Sequence, residues 1–175
     1  REVRGKNLGI IGYGNIGKQL SVLAEAMGMR VYYYDVDDKL ALGNAVKCNT
    51  LEDLLNVSDV VTLHIDDNKA NKNFIGEREL GQMKKGAMLI NLSRGFVVDI
   101  DALAAALKEG RIGGAAVDVY PDEPASNGEF HTKLQGFANV ILTPHVGGST
   151  EEAQRDIADF VPNKIMDYIN SGNTV

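Results

Sequence analysis

The sequence is poor in sulfur and in imidazole. One cysteine, Cys48, stands in 175 residues, so no disulfide can close within the chain, and such usage fits a reducing compartment. Cys48 follows no nucleophile pattern and reads as a small apolar residue. The three histidines, His64, His131 and His145, lie in no metal-ligand spacing with Cys, Asp or Glu. No G-x-S-x-G elbow marks a serine hydrolase. No stretch is long and apolar enough to span a membrane, and no signal peptide is visible. Positive charge is also in deficit: 18 Lys and Arg face 24 Asp and Glu, giving a net charge of −6. That balance speaks against a nucleic-acid partner or an anionic membrane surface. The expected setting is the cytoplasm.

What is abundant is apolar surface and glycine. At 44% hydrophobic residues the chain can bury a proper core, and 19 glycines predict tight turns or close backbone approaches. We expect one domain over residues 1–175. Because the chain opens on Arg1, we also expect it to be a piece of a longer protein.

Short apolar runs alternate with helical patterns. Strands are predicted at 7–12, 30–35, 59–65, 87–92, from "GGAAVDV" and at 139–143. Helices are predicted where Ile16, Leu20, Leu23 and Met27 fall at helical spacing, after Thr50, near "EREL", over 99–110, and from Ser149 to about Asn170. Ser149 and Glu152 have capping-box spacing, and Pro162 predicts a kink or break in that last helix. Strand and helix taking turns predicts an α/β fold, a doubly wound, mostly parallel sheet of Rossmann type covered on both faces. The long connection 120–137 exceeds ordinary loop lengths, which marks it as functional or poorly ordered.

"GIIGYGNIG" supplies Gly12, Gly14 and Gly17 as G-x-G-x-x-G, between a predicted strand and a predicted helix. Gly12 would permit the tight turn, Gly14 the approach of a pyrophosphate, and Gly17 close packing of helix on strand. The helix N-terminus would present free N–H groups to phosphate. Asp35 follows Gly17 by 18 residues, near the ~20 expected of a ribose-binding acid. Its carboxylate would accept bonds from ribose hydroxyls and repel a 2′-phosphate, so NAD is the expected cofactor.

In such a sheet ligands lie beyond the carboxyl ends of the strands. Arg94, Glu123 and His145 follow three predicted strand ends, and together they suit hydride transfer at a hydroxyl carbon. Histidine accepts or returns a proton near neutrality, a carboxylate orients its ring, and a guanidinium grips a substrate carboxylate. His64 reads as packing near the cofactor or bonding to backbone, and His131 as solvent-exposed.

Four ordered stretches, "GIIGYGNIG", "NLSRG", "AAVDVYPDEP" and "LTPHVGGSTEEAQ", resemble the D-isomer-specific 2-hydroxyacid dehydrogenase family. The resemblance implies that Arg94 binds substrate, that Glu123 partners the histidine, and that His145 exchanges the proton. It further implies that Asn15, Ile16 and Asp35 contact NAD, with Leu92, Ser93, Asp118, Gly147 and Gly148 toward the nicotinamide. A small 2-hydroxy acid is the implied substrate, and dimerisation through this domain is implied as well. It also implies a split substrate lobe outside this chain, so that residues 1–175 alone would bind NAD with little or no turnover. Asp66 stands where many relatives carry proline. Two alternatives stay open: another NAD-dependent dehydrogenase or a hydroxypyruvate or glyoxylate reductase of the same family, and an NADH-responsive corepressor-type binding module.

Overall fold

The computed structural model describes residues 2–124 and 128–172. It forms two units, residues 1–143 and 144–175. The first is a seven-stranded sheet in which every pairing is parallel. Its strands are β1 (Asn7–Ile11), β2 (Arg30–Tyr34), β3 (Val46–Lys47), β4 (Val60–Leu63), β5 (Ala87–Asn91), β6 (Ile112–Val117) and β7 (Val140–Leu142). The spatial order is β3-β2-β1-β4-β5-β6-β7. Chain order reverses between β1 and β4, the switch point where doubly wound sheets open a crevice.

The helices of this unit are α1 (Asn15–Ala26), α2 (Leu51–Val57), α3 (Glu77–Gln82) and α4 (Ile100–Lys108). Alternation along β1 shows how both sheet faces are used. Leu8 and Ile10 join Tyr13, Ala24, Val31 and Tyr33 in one apolar cluster, while Ile11 joins Leu54, Leu55, Val61 and Leu63 in the other. Fully burying a Leu such as Leu54 is worth roughly 1.5–3 kcal/mol, so these clusters supply much of the fold's stability. Thr50 caps α2 in a reciprocal box with Asp53, and Asp99 caps α4 by accepting the Asp101 and Ala102 amides. Gly28 and Gly110 stand at positive φ just past α1 and α4, where the chain leaves each helix.

Of the side chains that gave α1 its helical spacing, only Leu20 packs against the core. Ile16, Leu23 and Met27 are exposed, whereas Gly17, Ser21 and Ala24 face the sheet. Small residues let the helix lie close on β1 and β2, and that closeness turns the large ones outward.

The second unit is one helix, α5 (Glu151–Ser171), with a leading turn. Thr150, not Ser149, caps it, accepting the Ala153 amide at 3.1 Å. The Ser149 hydroxyl is occupied by the His145 carbonyl instead, at 3.1 Å. α5 runs through Pro162 without a break. The Ala158 carbonyl that loses its donor there lies on an exposed helix, where water can take the amide's place. Asn163 donates its side-chain amide to the Asp159 carbonyl at 2.8 Å, which adds a bond beside the proline. Among the described residues no helix is long and apolar enough to cross a membrane.

Candidate functional site

One register row runs across six strands. Tyr34, Ile11, Leu63, Asn91, Val117 and Leu142 are paired neighbour to neighbour. The residues after each of them, Asp35, Gly12, His64, Leu92, Asp118 and Thr143, therefore emerge along a single sheet edge.

At the switch point that edge opens into a cavity of about 400 Å³, whose lining includes Gly12, Gly14, Asp35, Lys39, His64 and Asp66. Gly12 has φ +89° and its α-carbon packs against the His64 carbonyl, so the turn from β1 into α1 passes directly over the end of β4. A methyl group at Gly17 would overlap the Gly12 carbonyl, whereas one at Gly14 would meet open space. Close packing at the two outer glycines and room at the middle one suit a loop that receives a pyrophosphate on the helix N-terminus. Asn15 and Ile16 begin that helix, and Ile16 is exposed.

Asp35 is held in place by the glycine loop. Its Oδ2 accepts the Tyr13 amide at 2.7 Å and its Oδ1 accepts the Asp37 amide at 2.9 Å. A carboxylate has about four acceptor positions, so two remain for ribose hydroxyls. His64 places Nε2 3.0 Å from the Thr62 hydroxyl, and burial pushes its imidazole below the ordinary pKa. The ring is thus bonded to a side chain of β4 and not to backbone. His131 is exposed, and its Nε2 lies 4.0 Å from Glu129. Cys48 is buried, and desolvation raises its thiol pKa, as expected for an apolar role.

Farther along the edge, Asn91 closes β5 with its amide fully buried. Its Oδ1 accepts the Ser93 amide at 3.1 Å and the Ser93 hydroxyl at 2.9 Å, while its Nδ2 donates to the Arg94 carbonyl at 3.0 Å. Those three bonds fix the turn that presents Arg94. The guanidinium is half-exposed, donates to the Ser93 carbonyl at 2.8 Å, and lies 3.7 Å from Asp67. Leu92 is exposed and Ser93 buried.

The next turn is pressed against the first. A side chain on Gly95 would collide with the backbone of Tyr120 and Pro121, so only glycine lets the two segments touch. Glu123, on the surface, accepts the Tyr120 amide at 2.9 Å and closes the turn after Asp118. Asp118 is buried and accepts the Thr143 hydroxyl at 2.5 Å. The Tyr120 hydroxyl bonds the carbonyls of Val117 and Thr143, at 3.1 and 3.0 Å. The segments bearing Arg94 and Glu123 are therefore neighbours. Residues 125–127 of the long loop lie outside the described residues.

His145, Gly147 and Gly148 belong to the second unit. His145 has φ +52°, a left-handed conformation uncommon for a residue with a side chain. The Gly148 carbonyl accepts the Gln154 side chain at 2.7 Å, tying this turn to the first turns of α5.

Residues 1–147 match the family described as D-isomer specific 2-hydroxyacid dehydrogenase, NAD binding domain. The chain belongs to that family. As a D-2-hydroxyacid dehydrogenase NAD-binding domain it binds NAD, and the cavity's glycine loop and acid fit the dinucleotide. It is 56% identical to D-3-phosphoglycerate dehydrogenase of Haemophilus influenzae, covering 99% of this chain and 43% of that protein. It is 54% identical to the protein of the same name from Escherichia coli K12, with the same two coverages. D-lactate dehydrogenase with NAD+ from Lactobacillus jensenii superimposes with a TM-score of 0.85 at 29% identity, over 97% of this chain and 54% of that one. The domain thus spans less than half the length of the curated relatives it matches.

Sequence reasoning missed Asn91, Asp67, Lys39 and the paired tyrosines Tyr13 and Tyr33. Asn91 carried a signal, being a lone amide at the end of an otherwise apolar strand. Asp67 and the tyrosine pair are placed by contacts between segments distant in sequence, and Lys39 by bonds within the turn after β2.

Proposed function

We propose that this domain is the dinucleotide half of an enzyme that oxidises 3-phosphoglycerate to 3-phosphohydroxypyruvate, the entry to serine synthesis, in the cytoplasm. The observation that carries this reading is 54–56% identity along 99% of the chain to relatives named for that reaction. Bound NAD supplies the hydride acceptor.

The domain's own residues divide the remaining work. Arg94 offers a planar fork to the substrate carboxylate and stabilises charge on the reacting oxygen. His145 takes the hydroxyl proton in oxidation and returns it in reduction, and Glu123 is its acidic partner, orienting the ring. Ser93, Leu92, Asp118, Gly147 and Gly148 serve the nicotinamide end, while Asn15, Ile16 and Asp35 serve the pyrophosphate and ribose.

The relatives are more than twice as long as the matched stretch, which leaves room in them for walls that exclude water and grip the phosphate. Residues 1–175 alone accordingly bind NAD and turn over slowly. A second copy pairs through this domain, and the exposed stripe of Ile16, Leu23 and Met27 on α1 supports that, being apolar surface of the kind that marks association.

Steady-state assays of the full-length parent against a panel of D-2-hydroxy acids test the assignment. The largest kcat/KM is expected for 3-phosphoglycerate. A preference for lactate, glycerate or another unphosphorylated acid would overturn the substrate. NADH binding with no turnover of any acid would favour a binding module.

A further inference from the structure

The cofactor cavity contains a cation that the glycine-loop pattern does not explain. Lys39 lines it together with Asp35 and Asp37. Its ammonium is held 2.8 Å from Asp37 Oδ2, with the lysine side chain only 31% exposed. The Asp37 hydrogen bond first, and the charges of Asp37 and Asp35 after it, hold the Lys39 amine above its ordinary pKa.

Lys39 is not a loose surface chain, because its backbone is strapped to the core. Tyr33 donates its hydroxyl to the Lys39 carbonyl at 2.8 Å. The Tyr33 ring is buried and stacks on Tyr13, with centroids 3.8 Å apart and planes at 18°. Tyr13 in turn bonds Asp35 through its amide and receives the Leu42 amide on its hydroxyl at 3.3 Å. Burial keeps the Tyr33 phenol protonated, so it remains a donor. The two stacked rings therefore lock the Asp35 loop and the Lys39 loop into one register.

We propose that Lys39 is a second determinant of dinucleotide choice, a latent site for a 2′-phosphate that Asp37 keeps engaged and Asp35 keeps repulsive. The inference rests on NAD occupying this cavity. Two carboxylates against one ammonium leave the ribose end net negative, which favours a free 2′-hydroxyl. Neutralising the acids would leave a lone ammonium in the cavity that Asp35 lines, on a residue whose backbone Tyr33 tethers. A phosphate there would gain a charge-assisted bond, in a contact weakened by salt.

Fluorescence titrations with NADH and NADPH, which need no turnover, test this directly. Asp37→Asn should raise NADPH affinity a few-fold, and Asp35→Asn with Asp37→Asn at least tenfold, with the gain shrinking as salt rises. Adding Lys39→Met to the double variant should abolish the gain, and Lys39→Arg should restore it. An NADPH gain that survives Lys39→Met would overturn the proposal while leaving the NAD site intact. Failure of the unmodified protein to bind NADH would instead remove the site. Should the double variant not fold, the pair Asp37→Asn and Asp37→Asn/Lys39→Met decides it, because the Asp37 side chain is exposed and reaches only Lys39 among the described contacts. No NADPH gain in Asp37→Asn would then overturn the proposal.

Discussion

Replacing Asn91 with leucine removes three hydrogen bonds while keeping the number and branching of the side-chain heavy atoms, so it opens no cavity. The Ser93 amide and hydroxyl lose their partner at a buried position, and the Arg94 carbonyl loses its partner at a part-buried one. At about 1 kcal/mol net for each bond, with a further penalty where a group stays buried, the loss is at least about 3 kcal/mol. For a chain of this size that corresponds to a Tm lowered by roughly 6–12 °C. Thermal melts and urea midpoints measure it without any substrate. In the full-length parent the same change should raise KM for the hydroxy acid more than Kd for NADH, since the turn it frees carries Arg94 and not the glycine loop. A Tm within about 2 °C of the parent's would mean that water or a rotated Ser93 replaces the amide, and that Asn91 does not set the turn.

Three further outcomes follow from the same geometry. Gly12→Ala combines a left-handed φ with a methyl group against the His64 carbonyl, so it should cost at least about 2 kcal/mol, and an unchanged urea midpoint would refute the close crossing. Burial depresses the His64 pKa from 6.5, so the folded state binds fewer protons than the unfolded one; the stability present above pH 6.5 is lost as pH falls through 6.5 toward the lower folded value. The fall in urea midpoint between pH 7.5 and pH 5 should therefore be smaller in His64→Gln, and equal falls would count against a buried neutral ring. Arg94→Lys in the full-length parent should weaken hydroxy-acid binding far more than NAD binding, because an ammonium lacks the fork; equal losses in equilibrium titrations would remove Arg94 from the substrate.

The sheet was legible because parallel strands buried on both faces leave continuous apolar runs, and β1, β4 and β5 fall within theirs. The glycine loop and Asp35 were legible because their spacing is dictated by local geometry. Two kinds of feature were not. The outward face of α1 was hidden because apolar periodicity reports a helix but not which side meets the sheet; the choice fell to Gly17, Ser21 and Ala24, whose smallness permits the approach. The Thr150 cap displaced the Ser149 one because Ser149 found a carbonyl four residues back, a competition between neighbours that spacing alone leaves undecided. Likewise Gly95 carried no motif of its own beyond following Arg94. Its necessity comes from Tyr120, which is 25 residues away.

The two outermost strands of the sheet are also its shortest, with β3 two residues long and β7 three. A foreign chain seeking to extend the ladder would find at most a few unpaired amides and carbonyls at either margin, too few to hold a strand of ordinary length. The open architecture thereby resists runaway stacking without closing into a barrel. Lengthening either margin by a few β-branched residues should make the protein prone to self-association at high concentration.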